Sequence, residues 1–506
     1  MKRLLALILL LSLVICTVSC SNGGGLFGET ACSKHTDAND DGQCDKCAVS
    51  VLSNFDFYAV NDLHGKFADT EVQSGVDEMT SYLKNAQVIN PNTLVLSIGD
   101  MWQGSAESNL TKGNIITEWM NDVNFVSMNL GNHEYDWGEE PIEQNSKLAE
   151  FPFLGINIYD RETNKRVDYC KPSLMVEKNG VKIGIIGAMG DCYSSIASEM
   201  SEGVYFVTGK GLTDLVQAES RTLKEMGADF IIYTIHDGYG GTNYDSTMTD
   251  SMLSGFYDVN LSNGYVDLVF EAHTHKYYVK TDKYGVYHLQ GGGDNLGITH
   301  VDVDINTANG NFKVINAEYL RSSTYSGMTG DPIVEQLMQK YDNQIGKAKE
   351  VLGKNAYYRD SRSLRNIVAR LYYEAGQKKW GKDYNIVLGG GFLTVRSPGH
   401  LQAGDVTYGN LQMLLPFDNQ LTLCSIKGSY LKWKFLETDN SNYFIYCGDY
   451  GESVKDNIDP NATYYVIVDS YTSTYGPNRL TEIARYDAET FARDLLAEYI
   501  KTGGLD

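Results

Sequence analysis

Five of the nine histidines in this 506-residue chain fall in short motifs that also carry acids or amides. The motifs are Asp62-Leu63-His64-Gly65, Gly131-Asn132-His133-Glu134, His236-Asp237 and His273-Thr274-His275, and Ser97-Ile98-Gly99-Asp100 adds a further carboxylate. Imidazole, carboxylate and amide donors together suit borderline divalent ions such as zinc, manganese, cobalt or iron. The motifs therefore predict a metal centre to which thiolates contribute nothing.

Two of these motifs have ligand candidates two residues apart. In an extended segment residues i and i+2 face the same way, so we expect Asp62 with His64, and His273 with His275, to present their ligand atoms to one site. A single histidine at a strand end is more often structural than a ligand. Five of them together with two acids favour a metal site.

The motifs DLHG, GDMWQGS, GNHEYDWG, HDG and HTH, in this order, resemble those of the bacterial 5'-nucleotidase and 2',3'-cyclic-nucleotide phosphodiesterase family. These are calcineurin-like dinuclear metallophosphoesterases with a 5'-nucleotidase C-terminal domain, and the resemblance runs from about residue 55 to the C-terminus. It implies two divalent metal ions that share Asp100. One ion would be held by Asp62, His64, Asp100 and His275, and the other by Asp100, Asn132, His236 and His273.

The resemblance also implies hydrolysis of phosphate esters. Two cations roughly 3.5–4 Å apart would bind the phosphate oxygens and lower the pKa of an attacking water. His133 and Asp136 match the family's catalytic pair, which stabilises charge on the phosphoryl group and protonates the leaving oxygen. Asp136 has the alternative role of a local turn cap. The sequence departs from the family where Glu271-Ala272 precedes HTH and where Asp237-Gly238 follows His236, but no ligand is lost.

Three landmarks of the family's substrate-binding domain follow: GGGFLTVR at 389–396, AGDVTYGNLQMLLPFDNQL at 403–421 and VDSYTSTYGPN at 468–478. By resemblance, Phe417 and Tyr471 would sandwich a nucleobase, since every base offers a π face. Asn419 would bond to the base, and Arg396 would hold the ribose or a carboxylate-like group. Arg362 is the candidate among the arginines at 359, 362 and 365. Alternatively, the two aromatic residues belong to the core and Arg362 is a solvated helix charge.

Departures from the family limit what this half says about the substrate. Arg396 lies several residues after the glycines, where many members have the arginine directly behind them. YGPN at 475–478 replaces a late GGDG, so the resemblance does not extend to the ribose contact that the aspartate of that motif makes.

Short apolar runs alternate with helical stretches between residues 51 and 330, for example at 55–60, 93–98, 126–130, 182–186 and 230–235. Such alternation predicts α/β layers, with each polar motif at a strand end where loops converge. The resemblance specifies a four-layer metallophosphoesterase β-sandwich flanked by helices, joined by a helix to a smaller α/β substrate-binding domain. We expect the catalytic domain at 51–330, a linker helix at 331–352 and the C-terminal domain at 353–506.

The N-terminus predicts export. Lys2 and Arg3 precede an apolar run that is too short to span a membrane, and residues 1–20 resemble a lipoprotein signal in which Cys20 becomes lipidated. We therefore expect a cell-surface or secreted protein, a monomer, whose membrane contact is the lipid anchor alone. The net charge of -23 and pI near 4.8 argue against a nucleic-acid polymer as partner.

Residues 21–50 form a separate small element that allows three interpretations. Asp37, Asn39 and Asp41 before Gly42 resemble the opening of a calcium loop, although Ala48 stands where a bidentate glutamate is expected. Cys32, His35, Cys44 and Cys47 have spacing suited to a tetrahedral zinc site. A spacer tied by disulfides is the third possibility, because the compartment is oxidising.

The leading hypothesis is therefore hydrolysis of nucleoside 5'-monophosphates, with 2',3'-cyclic nucleotides as a further substrate class. A different ester, such as a nucleotide sugar, is the alternative within enzymes. A non-catalytic surface binding protein that retains the fold is the alternative outside them.

Overall fold

The computed structural model describes residues 32, 34–69, 75–238, 260–392, 395–396, 399–437, 443–448, 457–474, 480–487 and 490–506. The expected leader with Cys20 lies outside this part of the chain, as do residues 475–478 of the third C-terminal landmark. Among the described residues, no helix combines the length and the apolar character needed to cross a membrane.

The first half of the chain consists of strands connected by helices and short 3-10 turns. The strands are β1 (Leu52–Val60), β2 (Leu94–Ser97), β3 (Phe125–Asn129), β4 (Phe153–Leu154), β5 (Ile158–Asp160), β6 (Ser173–Lys178), β7 (Val181–Met189), β8 (Val204–Phe206), β9 (Phe230–His236), β10 (Leu268–Glu271), β11 (Tyr277–Thr281), β12 (Tyr287–Gly291), β13 (Gly297–Asn306) and β14 (Phe312–Arg321). The helices are α1 (Asp77–Ile89), α2 (Ala106–Leu110), α3 (Asn114–Val123), α4 (Glu139–Leu148) and α5 (Gly209–Glu225), with 3-10 turns at Asn132–Tyr135, Asp191–Ser195, Ser198–Met200 and Ser322–Thr324.

Two six-stranded sheets organise this half, in the orders β14-β13-β1-β2-β3-β4 and β11-β12-β10-β9-β7-β6. Their inner faces form one core, in which Phe57 and Phe230 stack with ring centroids 5.6 Å apart. Helices α1 and α3 cover the outer face of the first sheet, and α5 covers that of the second. The two sheets and the helices on their outer faces confirm the predicted four-layer arrangement. A strand that is buried on both faces, such as β9, needs a covering layer on each side.

The second half has a five-stranded sheet of its own, in the order β19-β16-β20-β18-β21. Its strands and the paired β15 and β17 are β15 (Val351–Asn355), β16 (Ile386–Phe392), β17 (Gly404–Thr407), β18 (Leu421–Lys427), β19 (Tyr443–Tyr446), β20 (Thr463–Asp469) and β21 (Leu480–Arg485). The helices are α6 (Ile333–Lys340), α7 (Asp342–Ile345), α8 (Ser361–Trp380), α9 (Tyr408–Leu414), α10 (Gly428–Leu431), α11 (Ser470–Thr474) and α12 (Ala492–Lys501), with a 3-10 turn at Gly346–Lys349 and a π-helical stretch at Lys432–Glu437. Leu364 and Tyr372 of α8 and Ile467 of β20 are buried in a common core.

The segment between the halves differs from the single helix predicted for 331–352. It is helical in three pieces, because Tyr341 leaves the helical region with φ -95° and ψ 6° and a 3-10 turn begins at Gly346. Strand β15 then starts at Val351 and pairs with β17. The apolar spacing that suggested one helix also suits short turns packed against the first half, where Leu337 and Ile345 are buried. The domain limits stay a prediction.

Candidate metal centre

All five motifs lie at the carboxyl ends of strands. Asp62 and His64 follow β1, Asp100 follows β2, and Asn132 follows β3 in the same sheet. His236 ends β9, and His273 and His275 follow β10 in the other sheet. Because β1, β2 and β3 are mutually parallel, as are β9 and β10, their ends meet along one edge of the two-sheet core.

The backbone is left-handed at five of the seven ligand candidates. The φ angles are 49° at Asp62, 51° at His64, 55° at Asp100, 67° at His273 and 52° at His275. Residues other than glycine rarely adopt this backbone conformation. Each one destabilises the fold by about 1–3 kcal/mol and persists only where the surrounding structure fixes it. The expected extended geometry of Asp62 with His64 and of His273 with His275 is therefore wrong. A left-handed turn at each of these five residues, rather than strand alternation, directs their side chains toward one another.

One group of candidate ligand atoms comprises Asp62, His64 and His275, whose ligand atoms all lie within 4.8 Å of one another. His64 Nε2 lies 3.1 Å from His275 Nε2, and His275 Nε2 lies 3.4 Å from Asp62 Oδ1. The Gln103 carbonyl lies 3.0 Å from His64 Nδ1. Burial, with the nearby Arg396, holds the pKa of His64 well below its usual value. A neutral His64 has a ring-nitrogen lone pair with which it can coordinate a metal ion.

A second group comprises Asp62, Asp100 and His236. His236 donates its Nδ1–H to the Ile98 carbonyl at 2.7 Å, so Nε2 faces Asp100 Oδ2 at 3.0 Å. Burial would lower the pKa of His236, but the carboxylates of Asp100 and Asp62 raise it to about 10. The same field favours any cation placed here.

The amide of Asn132 also fits a cation. Its Oδ1 is buried and accepts no hydrogen bond from the described residues, although buried polar atoms are almost always paired. A divalent ion would satisfy this oxygen and the neighbouring carboxylates together. Burial holds the pKa of His273 at about 4, so its imidazole is neutral and able to coordinate.

Cys192 is the thiol closest to this centre, since its ligand atom groups with those of His236 and His273. Its Sγ donates to the His236 carbonyl at 2.8 Å, and burial raises the pKa of the thiol well above its ordinary value. A protonated, engaged thiol is a poor ligand. The donor set is therefore imidazole, carboxylate and amide, as the motifs predict, and Asp100 as the shared ligand stays a prediction.

His133 is paired with Asp136, whose Oδ2 lies 2.8 Å from His133 Nδ1. The backbone N–H of His133 donates to Asp100 Oδ1 at 2.8 Å, which ties this pair to the metal-binding loops. Burial would lower the pKa of His133, but the carboxylates of Asp136 and Asp100 raise it above its usual value. A protonated His133 would bring positive charge to the edge of the site.

The second half of the chain contributes Arg396 and Phe417 to the same place. Arg396 Nη2 lies 3.0 Å from His64 Nδ1, and its guanidinium carbon lies 5.9 Å from the centre of the Phe417 ring. The Phe417 ring stacks on that of His133, with centroids 5.8 Å apart and an interplanar angle of 26°. Both residues of the second half therefore lie beside histidines of the candidate metal centre.

Asp418, the residue after Phe417, is held by cations from both halves. Lys112 Nζ lies 3.3 Å from Asp418 Oδ2, and Arg493 pairs with the other carboxylate oxygen. Arg493 also donates to the Phe417 carbonyl at 3.3 Å. These contacts fix the loop that carries the Phe417 ring.

The other predicted substrate residues occupy different environments. Asn419 Nδ2 is buried and has no hydrogen-bond partner among the described residues, while Tyr471 is half-buried in α11. Arg362 is exposed in the first turn of α8. Arg365, one turn further, donates instead to the Val395 carbonyl at 3.4 Å, next to Arg396. Arg365 is thus held next to Arg396, and the role of Arg362 stays a prediction.

Comparison with known proteins agrees with this geometry. Residues 55–277 match the family model of the calcineurin-like phosphoesterases. The chain carries a calcineurin-like phosphoesterase domain. It is accordingly a metal-dependent phosphoester hydrolase, and all of the motif residues described above lie within the matched region.

Relatives cover both halves of this phosphoesterase. Protein UshA of Yersinia enterocolitica is 26% identical over 489 residues, which is 88% of this chain and 86% of that protein. A 5'-nucleotidase of Vibrio cholerae is 24% identical over 421 residues, 73% of this chain and 72% of that protein.

Solved structures show that the fold is shared. A 5'-nucleotidase precursor from Thermus thermophilus has a TM-score of 0.69 at 18% identity and covers 89% of this phosphoesterase and 96% of its own chain. The sulfate thiohydrolase SoxB from Thermus thermophilus has a TM-score of 0.62 at 15% identity, with 89% and 94% covered. Since enzymes with such different names share the fold, the site and not the fold must indicate the substrate.

Glu134 is a supporting residue of the phosphoesterase site that the motif analysis did not use, although it stands beside His133. Its buried carboxylate accepts 2.8 Å hydrogen bonds from the backbone N–H groups of Asp100, Met101 and Gly131. It thereby clamps the loops after β2 and β3 together. A side chain at Gly131 would collide with Asp100 Oδ1, so the clamp also requires glycine there.

We expect Glu134→Gln to weaken metal binding by about 10–100-fold, as is usual when the groups that orient ligands are lost. The amide nitrogen would face backbone donors that now meet a carboxylate oxygen. Competition of the purified phosphoesterase with a chromophoric chelator measures the affinity. Glu139→Gln is the matched control, because the Glu139 carboxylate accepts from Tyr169 at 3.1 Å and not from the metal-binding loops. Equal affinities in the two variants would contradict the clamp.

Proposed function

We propose that this phosphoesterase hydrolyses nucleoside 5'-monophosphates to nucleoside and phosphate outside the cytoplasm. The observation that carries the proposal is the meeting of an arginine and an aromatic ring from the second half with the histidines of the first. Arg396 contacts His64, and Phe417 stacks on His133. A nucleoside monophosphate has an anionic phosphate that can pair with Arg396 and an aromatic base that can stack on Phe417.

Two divalent metal ions are the cofactors in this proposal, and zinc, manganese, cobalt and iron all suit the donors. Asp62, His64, Asp100 and His275 would hold one, and Asp100, Asn132, His236 and His273 the other. When bound, the ions would supply Lewis acidity toward the phosphoryl oxygens and a nucleophilic water near neutral pH.

His133 acts on the transferring phosphoryl group and on the leaving oxygen. Asp136 holds the proton on Nδ1 at 2.8 Å, which leaves Nε2 to donate a proton or a hydrogen bond. Arg396 adds a fixed positive charge beside it, in a chain whose net charge is -23. Local cations therefore attract an anionic substrate that the overall charge would repel.

The base would stack on Phe417, with Tyr471 as the second aromatic face. The donor would be Asn419 Nδ2, which has no hydrogen-bond partner in the part of the chain that the structure describes. Stacking of this kind tolerates different bases. The Vibrio cholerae relative is named a 5'-nucleotidase, which supports the same substrate class. The apolar run after Lys2 and Arg3 supports export, with a lipid at Cys20 as the anchor.

A substrate panel tests the proposal. We expect phosphate release from nucleoside 5'-monophosphates in the presence of manganese or zinc, and none above background from the Asp100→Ala, His133→Ala double variant. The panel includes 2',3'-cyclic nucleotides, nucleotide sugars and simple phosphomonoesters. Preference for a nucleotide sugar or a non-nucleotide ester would replace the proposed substrate. Nucleotide binding without turnover by the metal-loaded protein would indicate a binding protein.

Asp136→Asn should reduce kcat by about 100-fold or more, as expected for loss of a general acid. The carboxylate raises the pKa of His133, so without it His133 loses its proton at lower pH. The alkaline limb of the kcat–pH profile should therefore shift to lower pH. Asp168→Asn, at an exposed carboxylate of the same half, is the control and should leave the profile unchanged. A reduced kcat with an unshifted alkaline limb would show that Asp136 does not act through the pKa of His133 and has only a structural role.

Phe417→Ala should raise KM for a nucleoside 5'-monophosphate by about 10–100-fold, since base stacking is worth about 1–3 kcal/mol. Hydrolysis of a phosphomonoester without a base should change little, because the metal centre is untouched. Steady-state kinetics on both substrates separates the two effects. Tyr358→Ala, at an exposed aromatic of the same half, is the control. Equal losses on the two substrates would assign Phe417 to packing against His133.

A further inference from the structure

A second group of metal-ligand side chains lies just before β1, outside the phosphoesterase site. Cys32, His35, Cys44 and Cys47 bring their ligand atoms within 4.8 Å of one another. Cys32 Sγ lies 3.7 Å from Cys44 Sγ, and Cys47 Sγ lies 3.5 Å from His35 Nδ1. The four side chains thus point to a common centre, although they come from two segments about ten residues apart in the chain.

These separations match the edges of a tetrahedral zinc site. With Zn–S near 2.3 Å and Zn–N near 2.0–2.1 Å, tetrahedral angles place two sulfurs about 3.8 Å apart and a sulfur about 3.5 Å from a nitrogen. A disulfide would need sulfurs at about 2.05 Å. We propose that Cys32, His35, Cys44 and Cys47 bind a structural zinc ion that is separate from the phosphoesterase metal centre.

The backbone around the cysteines is shaped for this role. Cys44 and Cys47 are the ends of a C-x2-C turn, in which the N–H of Ala48 donates to the Cys44 carbonyl at 2.8 Å. The N–H of Cys44 donates to the Val49 carbonyl, and Gln43 pairs with Ser50 as an isolated bridge. The segment around His35 joins this turn because the N–H of Asp45 donates to the Thr36 carbonyl. These bonds bring both ligand pairs together.

The acidic residues between the two pairs fold and dock the loop. Asp37 accepts from the backbone N–H groups of Asp41 and Gly42, and Asp45 accepts from that of Ala38. Within the described residues, these carboxylates form no group of three whose oxygens lie within 4.8 Å, whereas the cysteines and His35 do. The geometry therefore favours zinc at the sulfurs over calcium at the carboxylates.

The segment that contains Cys32, His35, Cys44 and Cys47, which we call the cysteine-rich element, contacts the hairpin of β13 and β14. Asn306 donates to Asp37 at 2.8 Å and to Asp40 at 3.1 Å, and Asn309 donates to Asp40 at 3.1 Å. It therefore lies at the start of β1, whose nine residues span about 30 Å before the metal-binding loop at Asp62. The ion would stabilise the segment that leads into the catalytic domain and would take no part in hydrolysis.

Cobalt substitution tests the proposal, because thiolate ligands give cobalt an intense near-ultraviolet charge-transfer absorption. The full exported chain is loaded with zinc, its metal content is measured, and zinc is then exchanged for cobalt. We expect three zinc equivalents and the thiolate band in the wild type. The Cys44→Ser, Cys47→Ser variant should bind two equivalents and lack the band, yet keep its phosphate-releasing activity. Cys192→Ser, which removes the thiol beside the phosphoesterase site, should keep the band.

Thiol alkylation of the wild type provides a readout that needs no variant. Cys47 is exposed, so it should react with iodoacetamide after chelation and resist it when zinc is bound, as seen by peptide mass spectrometry. Disulfides among Cys32, Cys44 and Cys47 in the unreduced protein would overturn the proposal. So would a charge-transfer band that survives in the double variant, or calcium retained in place of zinc. The metal content, the charge-transfer band and the alkylation pattern do not depend on the substrate of the phosphoesterase.

Discussion

The carboxylates of Asp62 and Asp100 lie fully buried beside the ring nitrogens of His275 and His236. Burying two negative charges together costs several kcal/mol for each ion unless positive charge compensates them. The rest of the centre is arranged around that requirement. The carboxylates raise the pKa of His236 to about 10. The negative potential that holds a proton on His236 would also favour divalent cations at this place.

The backbone is held in its strained shape by contacts from several elements. Asn61 donates to Asp62 Oδ2 at 2.7 Å, and the N–H of His273 donates to both oxygens of Asp62. Glu134 clamps the loops after β2 and β3. Strained left-handed residues persist only where the surroundings determine them so fully. The two-sheet core below provides the rigid base from which these loops project.

The candidate ligands of the motifs, the residues that the second half adds to them and the cysteine-rich element occupy different places in the fold. The first half holds the metal ligands, and the second half adds Arg396 and Phe417, fixed through Asp418 and its partners Lys112 and Arg493. The cysteine-rich element sits at the far end of β1 and contacts the β13–β14 hairpin instead. The two groups of candidate ligands therefore differ in donor chemistry, since the motifs offer imidazole, carboxylate and amide donors while the cysteine-rich element offers mainly thiolates.

The sequence by itself determined the types of candidate ligand, the order of the motifs and the strands that precede them. Polar residues that directly follow an apolar run can be recognised without a structure. The sequence also determined that Cys32, His35, Cys44 and Cys47 form a possible ligand set. Only the tertiary structure decided between extended and left-handed backbone at Asp62 and His64, since φ depends on contacts from distant loops. It alone showed that Phe417 lies against His133, that Arg365 bonds to the Val395 carbonyl next to Arg396, and that the segment 331–352 is not one continuous helix. Each of these depends on packing between segments far apart in the chain, which local spacing does not encode.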